Sequence, residues 1–264
     1  MPARSTLHSV EDPYAVDAEY YDIVHADAPD DDIGLWLAFA GRTRLPVLEV
    51  GTGTGRIALA LAASGADTWA IDPSGAMLSR ARAAAAAAGL SITFRHGAAP
   101  GASLPDAHFG LVIVPADVFL YCRTAREQID TLRALGAAMH FNATLLLDLP
   151  GPAAWLDGSL NGQPLLAFSG LDAEGNSLEV WHIRDDDLAT QTRRLTVRYE
   201  TTGPGGVVRR RDSIHTLRYI YRFEAEHLLT LAGLACTDVY GDYEPGPLAA
   251  DSDRMIVVAR KVGG

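Results

Sequence analysis

The stretch Leu45-Pro-Val-Leu-Glu-Val-Gly-Thr-Gly-Thr-Gly-Arg56 decides the fold. An apolar segment ends at Glu49, three glycines follow at alternate positions, and the apolar run Ile57-Ala-Leu-Ala-Leu-Ala-Ala63 comes next. This order predicts a buried strand, a tight loop and a helix that begins at about Gly55. A ligand can approach glycine backbone closely because no Cβ stands in the way, and the first amides of a helix face whatever binds there. The stretch therefore predicts a site for a nucleotide-like cofactor.

The composition of the chain is that of an ordinary globular protein. Its 264 residues are 48% apolar and 21% charged, which suits one large domain or one domain with an insertion. A net charge of −11 argues against nucleic acid or an anionic membrane as a partner, since both attract clustered positive charge. Cys122 and Cys236 have no metal-binding spacing, and no apolar stretch approaches the roughly 20 residues of a spanning helix. We expect a cytoplasmic protein without a metal.

Strand and helix patterns alternate along the first 150 residues. Helices are expected at about residues 14–25 and 33–40, and Ser74 and Thr124 are expected to cap two later helices. After the first strand, further strands are predicted at Asp67–Ile71, Leu90–His96, Phe109–Val114 and Ala143–Leu149. Connections of helix length imply right-handed crossovers and a parallel sheet covered on both faces, which is a doubly wound α/β fold.

The alternation breaks after the fifth strand. Segments with period-two alternation occur at Leu178–Ile183, Leu195–Tyr199 and Ile214–Arg222, and polar or glycine-rich turns separate them. We interpret them as an antiparallel β insertion at about residues 151–222. It belongs to a single domain, 1–264, whose N-terminal helices at about residues 14–41 form a cap.

The last part of the chain predicts a helix followed by a strand pair. The helix is expected at about Glu224–Ala232, and the strands near Ala235–Tyr240 and Arg254–Ala259. No segment of helix length separates these strands, so the pair is expected to be antiparallel.

The glycine spacing distinguishes two classes of cofactor. The dinucleotide fingerprint is Gly-x-Gly-x-x-Gly, whereas here Gly55 comes one residue early and Arg56 takes the expected place. Asp72, after the second strand, fits both classes because a carboxylate can accept both ribose hydroxyls. The terminal strand pair and the absence of a Tyr-x-x-x-Lys pair count against a nicotinamide-dependent oxidoreductase, which remains an alternative.

Taken together, the segment Leu48–Arg56, Asp72 and the terminal strand pair resemble the class I S-adenosylmethionine-dependent methyltransferases, over about residues 45–150 and 224–261. Within that superfamily the chain is similar to bacterial small-molecule N-methyltransferases of aminosugar and lincosamide antibiotic biosynthesis and to the glycine/sarcosine methylating group. The segments Ala18-Glu-Tyr-Tyr-Asp22 and Ser213-Ile-His-Thr-Leu217, with the insertion, carry this narrower likeness. The resemblance implies a Rossmann-like sheet, S-adenosylmethionine as cofactor, S-adenosylhomocysteine as product, and a small-molecule acceptor.

The resemblance also implies which residues hold the cofactor. The glycine loop with Thr52 would line the methionine portion, Glu49 would fix the loop or face the amino group, and Asp72 would take the ribose hydroxyls. Pro73 and Met77 would flank the adenine. The full implied set is Tyr21, Glu49, Gly51, Thr52, Gly53, Arg56, Asp72, Pro73, Met77, Gly97, Ala98, Ala99 and Pro115.

Two positions depart from the family pattern. Ala98 stands where many relatives carry an aspartate that bonds the adenine amine, and Gly110 replaces an acidic residue common before strand four. These losses motivate a second alternative, a methyltransferase-like protein that binds the cofactor without turnover.

Methyl transfer from a sulfonium mainly requires alignment of the nucleophile and exclusion of water. Tyr21 is expected near the sulfonium, with Tyr14 in a similar role, and Phe119 as an aromatic wall. His215 is the candidate general base, on a strand face shared with Tyr219 and Tyr221. The candidate catalytic residues are therefore Tyr14, Tyr21, Phe119 and His215, and the candidate substrate-binding residues are Asp117, Phe119, Trp155 and Tyr219.

The leading hypothesis is methyl transfer to an amine nitrogen in secondary metabolism, and an oxygen acceptor remains an alternative. The number of methyl groups added and a homo-oligomeric state are left open by the sequence.

Overall fold

The computed structural model describes residue 12 and residues 14–27, 29–155 and 160–262. Within these residues, the helices are α1 (Ala15–Val24), α2 (Ile33–Ala40), α3 (Arg56–Ala63), α4 (Gly75–Ala87), α5 (Ala125–Ala138) and α6 (Arg222–Leu231), with the 3₁₀ helices η1 (Val118–Tyr121) and η2 (Pro152–Trp155). The strands are β1 (Val47–Val50), β2 (Thr68–Asp72), β3 (Ile92–His96), β4 (Phe109–Val114), β5 (Met139–Pro150), β6 (Pro164–Leu171), β7 (Ser177–Asp187), β8 (Thr192–Thr202), β9 (Val208–Arg218), β10 (Leu234–Tyr240) and β11 (Arg254–Lys261).

A seven-stranded sheet forms the centre of the molecule, in the order β10-β11-β5-β4-β1-β2-β3. The strands β1 to β5 are parallel, whereas β11 is antiparallel to both β5 and β10. The predicted doubly wound α/β fold with a terminal antiparallel strand pair is therefore confirmed. The strand order reverses between β1 and β4, and open sheets of this kind bind ligands in the crevice at such a reversal.

The starts of two helices are fixed by the predicted caps. The Ser74 hydroxyl accepts a hydrogen bond from the Met77 amide at 3.1 Å, at the start of α4. At the start of α5, Thr124 Oγ1 accepts from the Glu127 amide at 3.1 Å, and Glu127 Oε2 accepts from the Thr124 amide at 3.2 Å. Both helices begin where these side chains satisfy otherwise unpaired amides.

The insertion is a second, four-stranded antiparallel sheet in the order β6-β7-β8-β9. The sequence predicted three of these strands and missed β6, because most of its apolar side chains are exposed and do not alternate with polar ones. The predicted last strand, Ile214–Arg222, was too long, since β9 ends at Arg218. Tyr219 and Tyr221 consequently lie beyond the strand, and their predicted alignment with His215 is wrong.

Helix α1 lies between the insertion and α4. Its Tyr20 ring stacks on Tyr199 of β8, with ring centroids 4.9 Å apart, and Glu19 pairs with Arg211 of β9. On the other side, Arg80 of α4 donates to the Glu19 carbonyl oxygen at 3.0 Å. The N-terminal helix therefore joins the insertion to α4, which covers the central sheet.

No helix among the residues that the structure describes is both long enough and apolar enough to cross a membrane.

Candidate active site

A cavity of about 360 Å³ opens at the carboxyl ends of β1 to β4, and α1 and the inner face of the insertion enclose its other side. This volume lies within the range of small-molecule sites, which is roughly 300–1,000 Å³. Two groups of residues line it. One group comes from the glycine loop and the ends of β2 and β3, and the other from α1, η1 and the insertion.

The glycine loop forms the first end of the cavity. Gly51, Gly53 and Gly55 have φ angles of +77°, +55° and +96°, a backbone region that residues other than glycine rarely adopt. A Cβ on Gly51 would lie 2.5 Å from the Val118 methyl groups, so this position has no room for a side chain. A Cβ on Gly53 would meet no heavy atom within 4 Å, and Gly53 lines the cavity. The space beside Gly53 is therefore open to a ligand.

Asp72 is held between the glycine loop and α4. Its Oδ2 accepts from the Gly53 amide and its Oδ1 from the Ser74 amide, both at 2.8 Å. Burial raises the pKa of Asp72, and these two amide bonds oppose that effect. The carboxylate lines the cavity in a fixed orientation.

The sequence reading missed Asp12, which supports the same region. Its Oδ2 accepts from the Ser74 hydroxyl at 2.8 Å and from the Ala76 amide at 3.1 Å. Asp12 thereby ties the segment before α1 to the start of α4, next to Met77. Along the chain 62 residues separate Asp12 from Ser74, so no local pattern could have indicated the contact.

Six of the other residues predicted to bind the cofactor also line the cavity. They are Tyr21, Pro73, Met77, Gly97, Ala98 and Ala99. Glu49, Thr52, Arg56 and Pro115 are not among the lining residues. The Arg56 guanidinium instead pairs with Asp32 at 2.6 Å and with Asp30 at 2.9 Å, which joins α3 to the start of α2. Its predicted cofactor contact therefore has no geometric support.

Glu49 is a buried carboxyl group beneath the glycine loop, 2% exposed. The Thr52 hydroxyl donates to Glu49 Oε2 at 2.7 Å. Burial raises the pKa of Glu49 to about 8, against the smaller lowering effect of the Thr52 hydrogen bond. The carboxyl group therefore supports the loop in its protonated form at neutral pH.

A pH-dependent stability follows from this burial. The pKa of Glu49 rises from 4.5 to about 8 on folding, so the folded state binds one more proton than the unfolded state between these values. The free energy of unfolding should fall by up to about 1.4 kcal/mol per pH unit in this window and level off above it. Urea titrations of the cofactor-free protein between pH 6 and 9 measure the trend. Glu49→Gln should remove this component, and equal slopes in both proteins would contradict the assignment.

The other end of the cavity brings together all four candidate catalytic residues. Tyr14, Tyr21, Phe119 and His215 line it, although they come from three distant parts of the chain. The Tyr14 ring stacks on His215 with centroids 5.3 Å apart, and Tyr121 meets the Tyr14 ring edge-on at 5.6 Å. Burial raises the pKa of Tyr14, so its hydroxyl stays protonated near neutral pH.

Asp17 is a buried carboxylate that the sequence reading missed. Tyr199 donates to its Oδ1 at 2.8 Å, and Ser213 donates to its Oδ2 at 2.5 Å. His215 Nε2 lies 3.0 Å from Ser213 Oγ and 3.4 Å from the Asp17 carboxylate. Burial by itself would raise the pKa of Asp17, but the hydrogen bonds of His215 and Ser213 hold it below its usual range. Helical spacing could have found it, because Asp17 lies between Tyr14 and Tyr21 on one face of α1.

A partly buried ion-pair network supports the loop that carries Phe119. Ala116 and Asp117 have φ angles of +46° and +66°, unusual for residues with a side chain. Asp148, fully buried, accepts from the Ala116 amide at 2.8 Å and from Arg254 Nε at 2.8 Å. Arg254 Nη2 also pairs with Asp117 at 2.7 Å. The predicted substrate contact of Asp117 therefore competes with an ion pair, and Asp117 is not among the lining residues.

Tyr219, another substrate candidate, does not line the cavity. Tyr219 is 3% exposed and belongs to the main hydrophobic core with Leu217 and Ile220. The side chain of Trp155 lies outside the described part of the structure. Among the described residues, no group of three or more histidine, cysteine, aspartate or glutamate side chains could hold a metal ion.

Residues 47–139, from β1 to the first residue of β5, match the family model described as a methyltransferase domain. Over these residues the chain resembles a methyltransferase domain. The match includes the glycine loop, Asp72 and the Phe119 loop, so it covers most of the cavity's first end. Comparison with curated protein sequences finds no significant match.

Solved structures extend the likeness of the methyltransferase domain to almost the whole chain. The CcbJ methyltransferase from Streptomyces caelestis is 23% identical with a TM-score of 0.76, covering 93% of this chain and 98% of that chain. The sugar N-methyltransferase KedS8 from Streptoalloteichus is 16% identical with a TM-score of 0.73, covering 92% and 93%. CalS10, an amino pentose methyltransferase from Micromonospora echinaspora solved with S-adenosylmethionine bound, is 18% identical with a TM-score of 0.66, covering 92% and 96%.

At these identities the likeness establishes the fold. It includes the insertion and the terminal strands as well as residues 47–139, since more than nine-tenths of this chain is covered. The resemblance to the S-adenosylmethionine-dependent methyltransferases is confirmed. These comparisons do not identify the methyl acceptor, which has to be inferred from the geometry of the cavity.

Proposed function

We propose that this protein transfers a methyl group from S-adenosylmethionine to the amine nitrogen of a small molecule. One observation carries the proposal: a single cavity joins the glycine loop and Asp72 to the cluster of His215, Asp17 and Tyr14. The first end suits the cofactor and the second suits a nucleophile that must lose a proton.

The first end fits S-adenosylmethionine in shape and in polar groups. The open space beside Gly53 admits a ligand against the backbone, and the fixed Asp72 carboxylate can accept the ribose hydroxyls. Pro73 and Met77 supply apolar surface for the adenine, and backbone near Ala98 would meet its amine. When bound, the cofactor supplies an activated methyl group on a sulfonium.

The second end favours an amine over an alcohol. A neutral imidazole can remove a proton from an ammonium group, whose pKa lies within a few units of its own, far more readily than from an alcohol. No arginine or lysine lines the cavity within the described structure, so a phosphate on the acceptor would have no cationic partner. We infer an acceptor without phosphate. KedS8 is a sugar N-methyltransferase and CalS10 an amino pentose methyltransferase, which supports amine-bearing metabolites as the first acceptors to try.

The glycine at position 110, where relatives commonly carry an acidic residue, does not support the alternative of a cofactor-binding protein that performs no methyl transfer. A Cβ at this position would lie 2.0 Å from Thr43 Oγ1, so packing alone accounts for the glycine. Ala98 lines the cavity and costs one adenine contact, which lowers affinity rather than removing the site.

Two measurements test the proposed function. S-adenosylmethionine and S-adenosylhomocysteine should each raise the melting temperature, whereas NAD should not. Incubation with S-adenosylmethionine and a panel of amines, their O-linked analogues and nucleotide-linked aminosugars should yield a mass increase of one methyl group on the free amines. Saturable NAD binding, or methylation of oxygen alone, would overturn the proposal.

A further inference from the structure

We propose that Asp17 is a positioning residue that fixes the tautomer of His215, so that Nδ1 is free to take a proton from the acceptor's ammonium group. This inference rests on the proposed N-methylation. It assigns the acceptor to amines that are protonated at neutral pH, because amines that are already neutral need no base.

The hydrogen bonds around Asp17 determine where the protons lie. A carboxylate only accepts, so Tyr199 and Ser213 must each donate their hydroxyl proton to Asp17. A serine hydroxyl has a single proton to give, and that proton is directed at Asp17 Oδ2. Towards His215, the Ser213 oxygen can therefore only accept.

The tautomer of His215 follows from this direction. Nε2, 3.0 Å from Ser213 Oγ and 3.4 Å from Asp17, must carry the hydrogen and donate it. In neutral imidazole the other nitrogen then holds a lone pair. Nδ1 has no hydrogen-bond partner among the described residues, and His215 lines the cavity, so Nδ1 is the nitrogen left for a ligand.

The other titratable groups near His215 are neutral, so Asp17 is the charged group that it contacts. Tyr14, at the start of α1, and Tyr121 of η1 pack against its ring, and Tyr199 of β8 donates to the neighbouring Asp17 carboxylate. Burial raises the pKa of each of these tyrosines, so they are neutral. His182 of β7 also lines the cavity, and burial, with a smaller effect of His25, lowers its pKa. The Asp17 carboxylate is thus placed to stabilise an imidazolium at His215.

The proton and electron pairs balance in this arrangement. The ammonium group of the acceptor gives one proton to Nδ1, and the freed nitrogen lone pair forms the new bond to the methyl carbon. The electron pair of the broken carbon–sulfur bond stays on the sulfur of S-adenosylhomocysteine. His215 afterwards gives its proton to water, and the product leaves as a methylated ammonium ion.

The tautomer can be measured without knowing the acceptor. Two-bond ¹⁵N–¹H NMR spectra of the ¹⁵N-histidine protein at pH 8.5, with His215→Gln to assign the signal, should show the Nε2–H tautomer. In Asp17→Asn, the new amide can donate to Ser213, whose proton then turns to Nε2, and the signal should change to the Nδ1–H tautomer. Asp212→Asn, an exposed ion-pair residue on the same strand as Ser213, should leave the tautomer unchanged.

Kinetics provide the second readout once an amine acceptor is found. Asp17→Asn should lower kcat at least about tenfold at pH 7, and the loss should shrink as rising pH deprotonates the amine in solution. Binding of S-adenosylhomocysteine should not change. A proton on Nδ1 in the wild-type protein, or an unchanged tautomer in Asp17→Asn, would overturn the inference. If Asp17→Asn does not fold, the wild-type spectrum decides. A failed cofactor assignment would appear separately, as absent S-adenosylhomocysteine binding with the Nε2–H tautomer intact.

Discussion

Gly53→Leu is expected to weaken cofactor binding about a hundredfold while the protein stays folded. A Cβ on Gly53 meets no protein atom within 4 Å, so the leucine side chain extends into the cavity rather than into the core. It would occupy the space proposed for the cofactor. A clash of about 3 kcal/mol weakens binding roughly a hundredfold, and calorimetric titration with S-adenosylhomocysteine measures it.

Gly65→Leu is the matched control for this variant. Gly65 has a φ of +89°, and a Cβ there also meets nothing within 4 Å, but it lies in the turn after α3 and does not line the cavity. Both variants should lose about 1–2 kcal/mol of stability through the left-handed backbone. Only Gly53→Leu should lose binding. Equal affinities in the two variants would show that the cofactor lies elsewhere.

Arg254→Leu is expected to cause the largest loss of stability, about 3–5 kcal/mol, because it leaves a buried carboxylate without its partner. Asp148 is fully buried and pairs with Arg254. The same guanidinium holds Asp117, so the loop carrying Phe119 should also lose its support. Urea denaturation measures the loss of stability, and methyl transfer should fall together with it.

Two comparisons isolate the cause of that loss. Arg222→Leu removes an exposed ion pair with Glu226 within α6, which should cost no more than about 0.5 kcal/mol. Asp148→Asn in the Arg254→Leu background removes the unpaired charge and keeps an oxygen to accept from the Ala116 amide. This double variant should regain part of the lost stability. If it is no more stable than Arg254→Leu alone, the buried charge is not the cause.

The central sheet could be predicted because its signals are local. Each of these signals spans only a few residues and predicts a structural element of the same length. They are the glycine loop, the Ser74 and Thr124 caps and the apolar run Phe109–Val114. The strand β6 could not be predicted because its exposed leucines give no alternation. The end of β9 was misplaced because the alternation of Ile214–Arg222 continues past the last strand residue, Arg218.

The cavity was predicted less completely because its contacts join distant parts of the chain. The cofactor end comes mostly from residues 50–99, which the family pattern covers. Asp17 is bonded to Ser213, which lies 196 residues away along the chain, and Asp148 is paired with Arg254, which lies 106 residues away. No pattern in the sequence around Asp17 or Asp148 indicates these two long-range contacts. For Tyr219 the prediction was wrong in the opposite sense. The alternating pattern of residues 214–222 predicted that it lies in the site, whereas it belongs to the hydrophobic core.

The distance between Asp17 and Ser213 also sets an order of events during protein synthesis. All strands that build the cofactor end, through β4, have been translated by residue 114, about a hundred residues before Ser213 and His215 are translated. Until then α1 lacks the β8 and β9 residues that bond and stack against Asp17 and Tyr20. In a nascent chain that has not reached β9, the acceptor end of the cavity therefore stays open to solvent, whereas the strands of the cofactor end are already present.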